Sequence, residues 1–489
     1  MPSFIRKQKN ASGSVVVQVI HKRGRAVVGL DHIGSARNEA ELETLLVLAE
    51  EARHAGQLRM ELFQDGGPDL VLERSFSGLL WECLEGVYRE LGFDALQDET
   101  FKQLALARVI EPASKLDTIR VLSELGLDAP SNSAIHRALS RVIREDYRGA
   151  LSALCFAKSA PASLTLLLYD VTTLYFEIQK EDGYRKPGLS KERRLEPQIT
   201  VGLLVDASGF PLEVASFEGN KAETRTIVPV LEGFAARHGL ERVTVTADAA
   251  MLSGGNLTAL EDLGYHYIVG SRLSKTPYAI AEHLKEPGAR LQDGQIFDTA
   301  VTVTIAGRRQ PRRVVYQYRQ KRAELDLRNI ETALGKAQKM VDGASEFKRN
   351  RFLTVRGAER SINYALAEEA RRKAGIKGYV TSLDDPAPVI IDAYHQLFEV
   401  ERSFRMSKSD LKARPVFHHK RESIEAHLTI VFAALAISRV IQRRTGLSIK
   451  RFIQKLAPVR TGVVSLHGTE HTVRPRVPED VKAVIAAFR

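Results

Sequence analysis

The chain has 489 residues, 44% apolar and 27% charged, too long for one compact core and too apolar for a disordered or collagen-like chain. Its formal charge of +11 and pI near 9.5 favour an anionic partner, nucleic acid first, because neutralising phosphates releases condensed counterions. Cys83 and Cys155, the two cysteines, lie apart in apolar helix-like stretches, which excludes a disulfide framework and a zinc site and reads as packed thiols.

The start, MPSFIRKQKN, has no apolar export region, and no segment reads as long and uncharged enough to span a bilayer. A cytoplasmic protein without membrane contact is therefore expected. Residues 14–34 read as a hairpin, SVVVQVI and AVVGLDHIG about the turn HKRGR, followed by a charged helix, with residues 1–65 as one N-terminal region. Residues 74–158 have helical periodicity. Within them, two short helices joined through Gly126, the second capped by Ser131 or Ser133, form either a helix-turn-helix or an ordinary bundle; the segment is the candidate DNA-binding region. From 160 to 273 the pattern is strand, hairpin, helix, strand, helix, strand. LTLLLYD is a buried strand ending on Asp170, and ITVGLLVD turns through ASG into FPLEVASFEG. A helix then stops at Gly239, and RVTVTAD is a strand ending on Asp248. Residues 274–375, with paired strands about AGRRQP and a long polar helix, interrupt this α/β pattern as a β-rich and helical insertion. Residues 376–445 return to the core with GYVTSL, an amphipathic helix from near Pro388 and the apolar helix HLTIVFAALAISRVIQRR. The basic tail 446–489 carries no readable function.

Two aspartates at strand ends and one glutamate on a later helix carry the chemistry. On parallel neighbouring strands, Asp170 and Asp248 would stand about 5 Å apart. Carboxylates so close repel unless a cation lies between them. Oxygen ligands with room for water suit Mg2+, with Mn2+ as a substitute, and two such ions roughly 3.5–4 Å apart could polarise a scissile phosphate and activate water or a 3′-hydroxyl. On the helix from Pro388, Tyr394, Glu401 and Lys408 recur at nearly two-turn steps along one stripe, with Leu397, Phe398, Phe404 and Leu411 available for buried contacts.

YDVTT at 169–173, VTADAAMLS at 245–253 and YHQLFEVERSFRMSK at 394–408 resemble the DDE transposases of the insertion-sequence-four superfamily, the bacterial group with a Tyr-Arg-Glu-Lys signature. The resemblance covers most of residues 14–445. Tyr394, Glu401 and Lys408 fall on the tyrosine, glutamate and lysine positions. Leu397 stands at the arginine position, and Arg402 and Arg405 are its candidate substitutes as DNA contacts. The resemblance implies an RNase H-like catalytic domain of residues 160–273 and 376–445, interrupted by the insertion. It implies Asp170, Asp248 and Glu401 as catalytic metal ligands. It also implies cut-and-paste chemistry on double-stranded DNA: cleavage at terminal inverted repeats, then strand transfer into target DNA by a homodimer in the synaptic complex. A protein of this kind would join the nucleoid when bound to DNA. Many relatives pass through a hairpin at the element end, and some of them use an aromatic residue of the insertion to stabilise a flipped base. The single tryptophan, Trp81, lies outside it, and Tyr316 or Tyr318 is the candidate replacement. The alternatives are a nuclease of the same fold without strand transfer and an inactive, transposase-derived DNA-binding protein.

Among the remaining polar residues, Asp206 precedes ASG and reads as a turn residue. Glu399 lies roughly 200° around the helix from Glu401 and should point away from the metal stripe. Thr172 could hydrogen-bond near the metal, and Asn220 either binds a phosphate or makes a turn. The loop bearing Arg185, Lys186, Lys191, Arg193 and Arg194 is either solvated or a DNA-backbone contact. His418 and His419 lack companions at ligand spacing.

Overall fold

The computed structural model describes residues 3–10, 14–24, 26–36, 38–54, 70–159, 166–176, 181–188, 196–249, 253–271, 273–305, 308–356, 359–414, 416 and 418–488. The chain divides into two units, residues 1–74 with 463–473, and residues 75–462 with 474–489.

In the first unit, β1 (Ser3–Lys9), β2 (Val15–Arg23) and β3 (Ala26–Ala36) form an antiparallel sheet in that order. The alternation of VVVQVI turns Val17 and Val19 to one face, where they meet Ala49 of α1 (Glu39–His54). Asn38 starts that helix reciprocally: its side chain accepts from the Glu41 amide (2.8 Å) and donates to the Glu41 carboxylate (2.9 Å). The hairpin expected at 14–34 is present, β1 adds a strand to it, and β4 (Leu70–Phe76) belongs to a separate sheet.

The second unit opens with α2 (Gly78–Glu90), α3 (Glu99–Ile110), α4 (Lys115–Glu124), α5 (Asn132–Arg144) and α6 (Tyr147–Lys158). Side-chain caps explain where four of them begin: Asp98, Ser114, Ser131 and Asp146 each accept a hydrogen bond from a first-turn amide. Ser131, not Ser133, caps α5. That helix buries Ile135, Ala138, Leu139 and Val142 and packs on α3.

The sheet follows: β5 (Leu166–Tyr175), β6 (Gln198–Asp206), β7 (Pro211–Glu218), α7 (Ile227–His238), β8 (Thr244–Ala247), α8 (Gly254–Asp262) and β9 (His266–Ser271). As expected, α7 ends at Gly239, in the left-handed region at φ +62°. Next come α9 (Tyr278–His283), β10 (Ile296–Ile305), β11 (Arg308–Tyr318), α10 (Gln320–Val341), β12 (Leu353–Arg356), β13 (Glu359–Ile362), α11 (Tyr364–Arg372) and β14 (Ile376–Thr381). Eight of these strands form one mixed sheet, β10-β11-β14-β9-β8-β5-β6-β7. The steps β5 to β8 and β8 to β9 are parallel; the other neighbours are antiparallel.

The segment expected as an insertion does not stand wholly apart, because β11 pairs with β14 and so carries β10 into the main sheet. Its remainder buries a small core of its own, Ile330, Leu334, Phe352, Ala367 and Ala370. The chain then runs through α12 (Ala387–His395), α13 (Phe398–Arg405) and a π-helical turn at Met406–Asp410 into α14 (Arg421–Thr445) and α15 (Ile449–Leu456). Contrary to the sequence expectation, α14 is long and apolar enough to cross a membrane, yet its apolar window is 94% buried inside the protein. It packs on α3, α5 and β7 as a core helix. The tail folds too: β15 (Thr461–Leu466) and β16 (Thr469–Val473) complete a sheet ordered β16-β15-β4, and α16 (Glu479–Ala486) follows.

Candidate active site

The parallel strands set two of the three expected carboxylates side by side. Tyr169 of β5 pairs with Ala247 of β8, so the next residues, Asp170 and Asp248, stand level on adjacent strands about 4.8 Å apart in backbone spacing. The expectation that both strands end on these residues holds for β8 and not for β5. That strand runs on to Tyr175 because its other edge stays paired with β6. Asp170 is half-buried and Asp248 exposed, its carboxylate accepting from the Ala249 amide at 2.7 Å.

The third carboxylate arrives on a segment that is not one continuous helix. The chain breaks between α12 and α13, where Leu397 and Val400 bond to carbonyls three residues back, and the π-helical turn widens the helix after Arg405. Tyr394, Glu401 and Lys408 therefore do not share the straight stripe read from their spacing. Phe398, expected inside, is 57% exposed, whereas Leu397, Phe404 and Leu411 are buried as expected. Two of the three signature residues still reach the catalytic strands. The Tyr394 hydroxyl lies 3.5 Å from Asp248 Oδ1, and the Lys408 ammonium donates to Thr172 on β5. Burial, then the Asp248 charge, pushes the Tyr394 phenol up, so it stays protonated and donates. Gly270, level with Asp248 on β9, makes this approach possible: a Cβ there would lie 2.7 Å from the Tyr394 hydroxyl.

Glu401 is exposed, and its charge acts on both Tyr394 and Lys377. Lys377, on β14, is a site residue that the sequence reading missed; its Nζ lies 4.3 Å over the Tyr394 ring. A lone lysine in the otherwise apolar IKGYVT was the available signal. Burial first, then Arg322, holds its proton affinity below the ordinary lysine value, while Asp248 and Glu401 oppose that shift.

The donor set is chemically that of a hard divalent ion, all oxygen. Asp170 and Asp248 fit such an ion as a pair. Among the described residues, no three Asp, Glu, His or Cys side chains stand close enough together to hold a metal, so Glu401 would have to swing inward to complete the set.

The other candidates divide. Glu399 points away from the pair, as expected, and binds Arg439 at 2.6 Å. Asp206 organises its turn, accepting from the Ser208 and Phe210 amides. Arg402 and Arg405 are exposed, Arg402 lying 3.7 Å from Glu399. Asn220 is exposed after the buried Gly219. Arg185 is buried, paired with Asp182 at 2.9 Å and set over the Phe176 ring, and so holds the loop rather than facing solvent. Lys191, Arg193 and Arg194 lie outside the described residues. Of the two tyrosines read as candidates for stacking on a base, Tyr316 is buried in β11 against Gly378 and Tyr318 is half-buried.

Among known proteins, the transposase DDE domain matches residues 161–437. No curated protein matches the chain. Among solved structures, a piggyBac transposase synaptic complex with hairpin DNA is similar at a TM-score of 0.38 and 11% identity, over 78% of this chain and 69% of that one. The Mos1 mariner paired-end complex with Mn is similar at a TM-score of 0.16 and 14% identity, over 47% of this chain and 71% of that one. The domain match takes in more than half of the chain, including β5, β8 and α13 with their three carboxylates, and on it the chain belongs to the transposase DDE domain family.

Proposed function

We propose that the chain is a cut-and-paste DNA transposase of the Tyr-Arg-Glu-Lys group, with an RNase H-like catalytic core. The observation that carries this reading is the level placement of Asp170 and Asp248 on parallel β5 and β8, inside a matched transposase DDE domain. The run β7-β6-β5-β8-β9, made from a strand, a hairpin, a helix, a strand, a helix and a strand, supports the core assignment.

Asp170 and Asp248 would hold divalent ions, Mg2+ or Mn2+, with Glu401 closing on them. Bound there, such ions supply Lewis-acid polarisation of the scissile phosphate and a nucleophile at neutral pH. Tyr394 fixes the Asp248 carboxylate by hydrogen bonding, which limits the orientations that it must give up on binding an ion. Lys408, which donates to Thr172 two residues beyond Asp170, would contact a DNA backbone, and Arg402, Arg405 and Asn220 offer exposed polar groups for further contacts. The cationic balance of the chain suits the partner: transposon ends and target DNA, paired by a homodimer in the cytoplasm, at the nucleoid. Residues 74–158 are the proposed DNA-binding region and residues 274–375 the insertion.

The test is cleavage of a labelled fragment carrying the DNA that flanks the coding sequence, with magnesium or EDTA. Metal-dependent nicking at the element boundary that is lost in Asp170→Asn, Asp248→Asn and Glu401→Gln, with binding retained, is expected. Full cleavage by any one variant removes that residue from the site. Nicking without strand transfer would make the protein a nuclease, and tight binding without cutting, in manganese as well, a DNA-binding derivative.

A further inference from the structure

Lys377 has no part in the signature and no role in the chemistry derived above, yet its position is specific. It lies at the start of β14, which runs antiparallel to β9, so that end of β14 borders the strand ends where Asp170 and Asp248 stand. Its stem crosses the Tyr394 ring and places Nζ 4.3 Å from the ring centroid, with the Tyr379 ring at 5.8 Å. The Tyr394 hydroxyl in turn reaches Asp248. The ammonium thereby lies over two aromatic faces, and it forms no ion pair among the described residues. The charged groups acting on it come from three directions: Asp248 after β8, Glu401 on α13, and Arg322 on α10. Arg322 and Arg319, both exposed, form surface ion pairs, with Asp326 at 3.6 Å and with Asp293 at 3.9 Å, of the exposed kind that contributes little and can be exchanged for another anion.

A cation beside carboxylates can serve as their internal counter-charge or as a contact for the anion being processed. An internal counter-charge would be expected to close on one carboxylate. Lys377 is instead braced against aromatic rings, Arg322 adds its positive charge to the same surroundings, and Arg322 and Arg319 both act on the neighbouring Tyr379. We propose that Lys377 contacts a phosphate of the DNA strand at the carboxylate site, with Arg322 and Arg319 extending the track along the same backbone. The inference rests on the proposed transposase reading and names a substrate contact within it.

The experiment measures binding of full-length protein to the labelled flanking fragment, in calcium in place of magnesium, over a range of salt. Lys377→Gln should weaken binding and lower the slope of log affinity against log salt by about 0.9, the value for one lost phosphate contact. Lys377→Arg should restore the slope. A urea denaturation curve for each variant identifies loss of fold, and Lys377→Met then serves as the second neutral variant. An unchanged slope in the neutral variants, with tighter Mn2+ binding in the absence of DNA, would make Lys377 an internal counter-charge and overturn the proposal. The control is Glu401→Gln on the same fragment: unchanged binding with lost cleavage upholds the transposase reading whatever Lys377 does, whereas retained cleavage fails that reading on its own.

Discussion

Replacing Arg439 by methionine should destabilise the second unit by about 3–5 kcal/mol, the usual cost of stranding one member of a buried ion pair. Arg439, on α14, has a side chain 8% exposed, and its partner Glu399, on α13, is 15% exposed, with 2.6 Å between them. The same guanidinium donates to the Ser208 carbonyl in the β6–β7 turn, and Ser403 of α13 donates to the Gly209 carbonyl at 3.0 Å. Gly209 has φ +79°, and a Cβ there would meet Arg439 at 2.3 Å, so turn, helix and arginine are fitted to one another. Methionine keeps much of the stem's volume but leaves the Glu399 carboxylate, among the described residues, with Arg402 alone, at 3.7 Å. With a urea slope of about 3 kcal/mol/M, the midpoint should fall by about 1 M or more. Trp81 is the sole tryptophan and sits buried in the same core as α14, so its fluorescence reports the transition. Removing the charge on both sides, Glu399→Leu with Arg439→Met, should recover most of the loss. A single-variant shift below about 0.3 M, or a double variant no better than the single, would refute the argument that this pair anchors the glutamate helix.

Gly270→Ala would press a methyl group against the Tyr394 hydroxyl and should cost about 1–3 kcal/mol of overpacking, less in a Tyr394→Phe background; equal costs in both backgrounds, read from urea midpoints, would show the contact to be unimportant. Burial opposes ionisation of Glu425, but Arg148, Ser216 and Tyr184 together outweigh it and hold its pKa below the ordinary 4.5. Because the folded value is the lower one, this stabilisation is complete above pH 4.5 and is lost as pH falls through the folded value. Glu425→Gln should therefore flatten the acid limb of a stability–pH profile, and superimposable limbs would exclude the linkage.

What the sequence made legible was local. Apolar runs ending in Asp170 and Asp248 are strands by composition, and Gly239 and Ser131 mark helix ends by backbone and capping chemistry that needs no distant partner. The turn role of Asp206 and the turning of Glu399 away from the aspartate pair followed from the same kind of reasoning, although Glu399 meets Arg439 rather than solvent. Features set by long-range contacts were hidden. The break before α13 is accompanied by the ties of Glu399 and Ser403 to α14 and the β6–β7 turn, and no propensity in FEVERSFR announces it. That break also turns Phe398 outward and removes the straight Tyr394–Glu401–Lys408 stripe. The pairing of β11 with β14 joins residues far apart in the sequence, such as Arg313 with Thr381, so the hairpin read as part of an insertion could not be assigned to the main sheet. Lys377 escaped notice because its significance depends on Tyr394 and Asp248, neither of which is near it in sequence.

The burial of α14 bears on how the protein is made. The helix at the centre of the second unit is encoded at residues 421–445, so a ribosome will have delivered both aspartate strands and the glutamate segment before the helix that packs on α3, α5 and β7 emerges. Until then the faces of α3, α5 and β7 that it covers remain open to water and to other chains. A message truncated ahead of this helix would yield the proposed catalytic residues without the helix that α3, α5 and β7 pack on, so a chain stopped there should fail to hold the fold on which the proposed site depends.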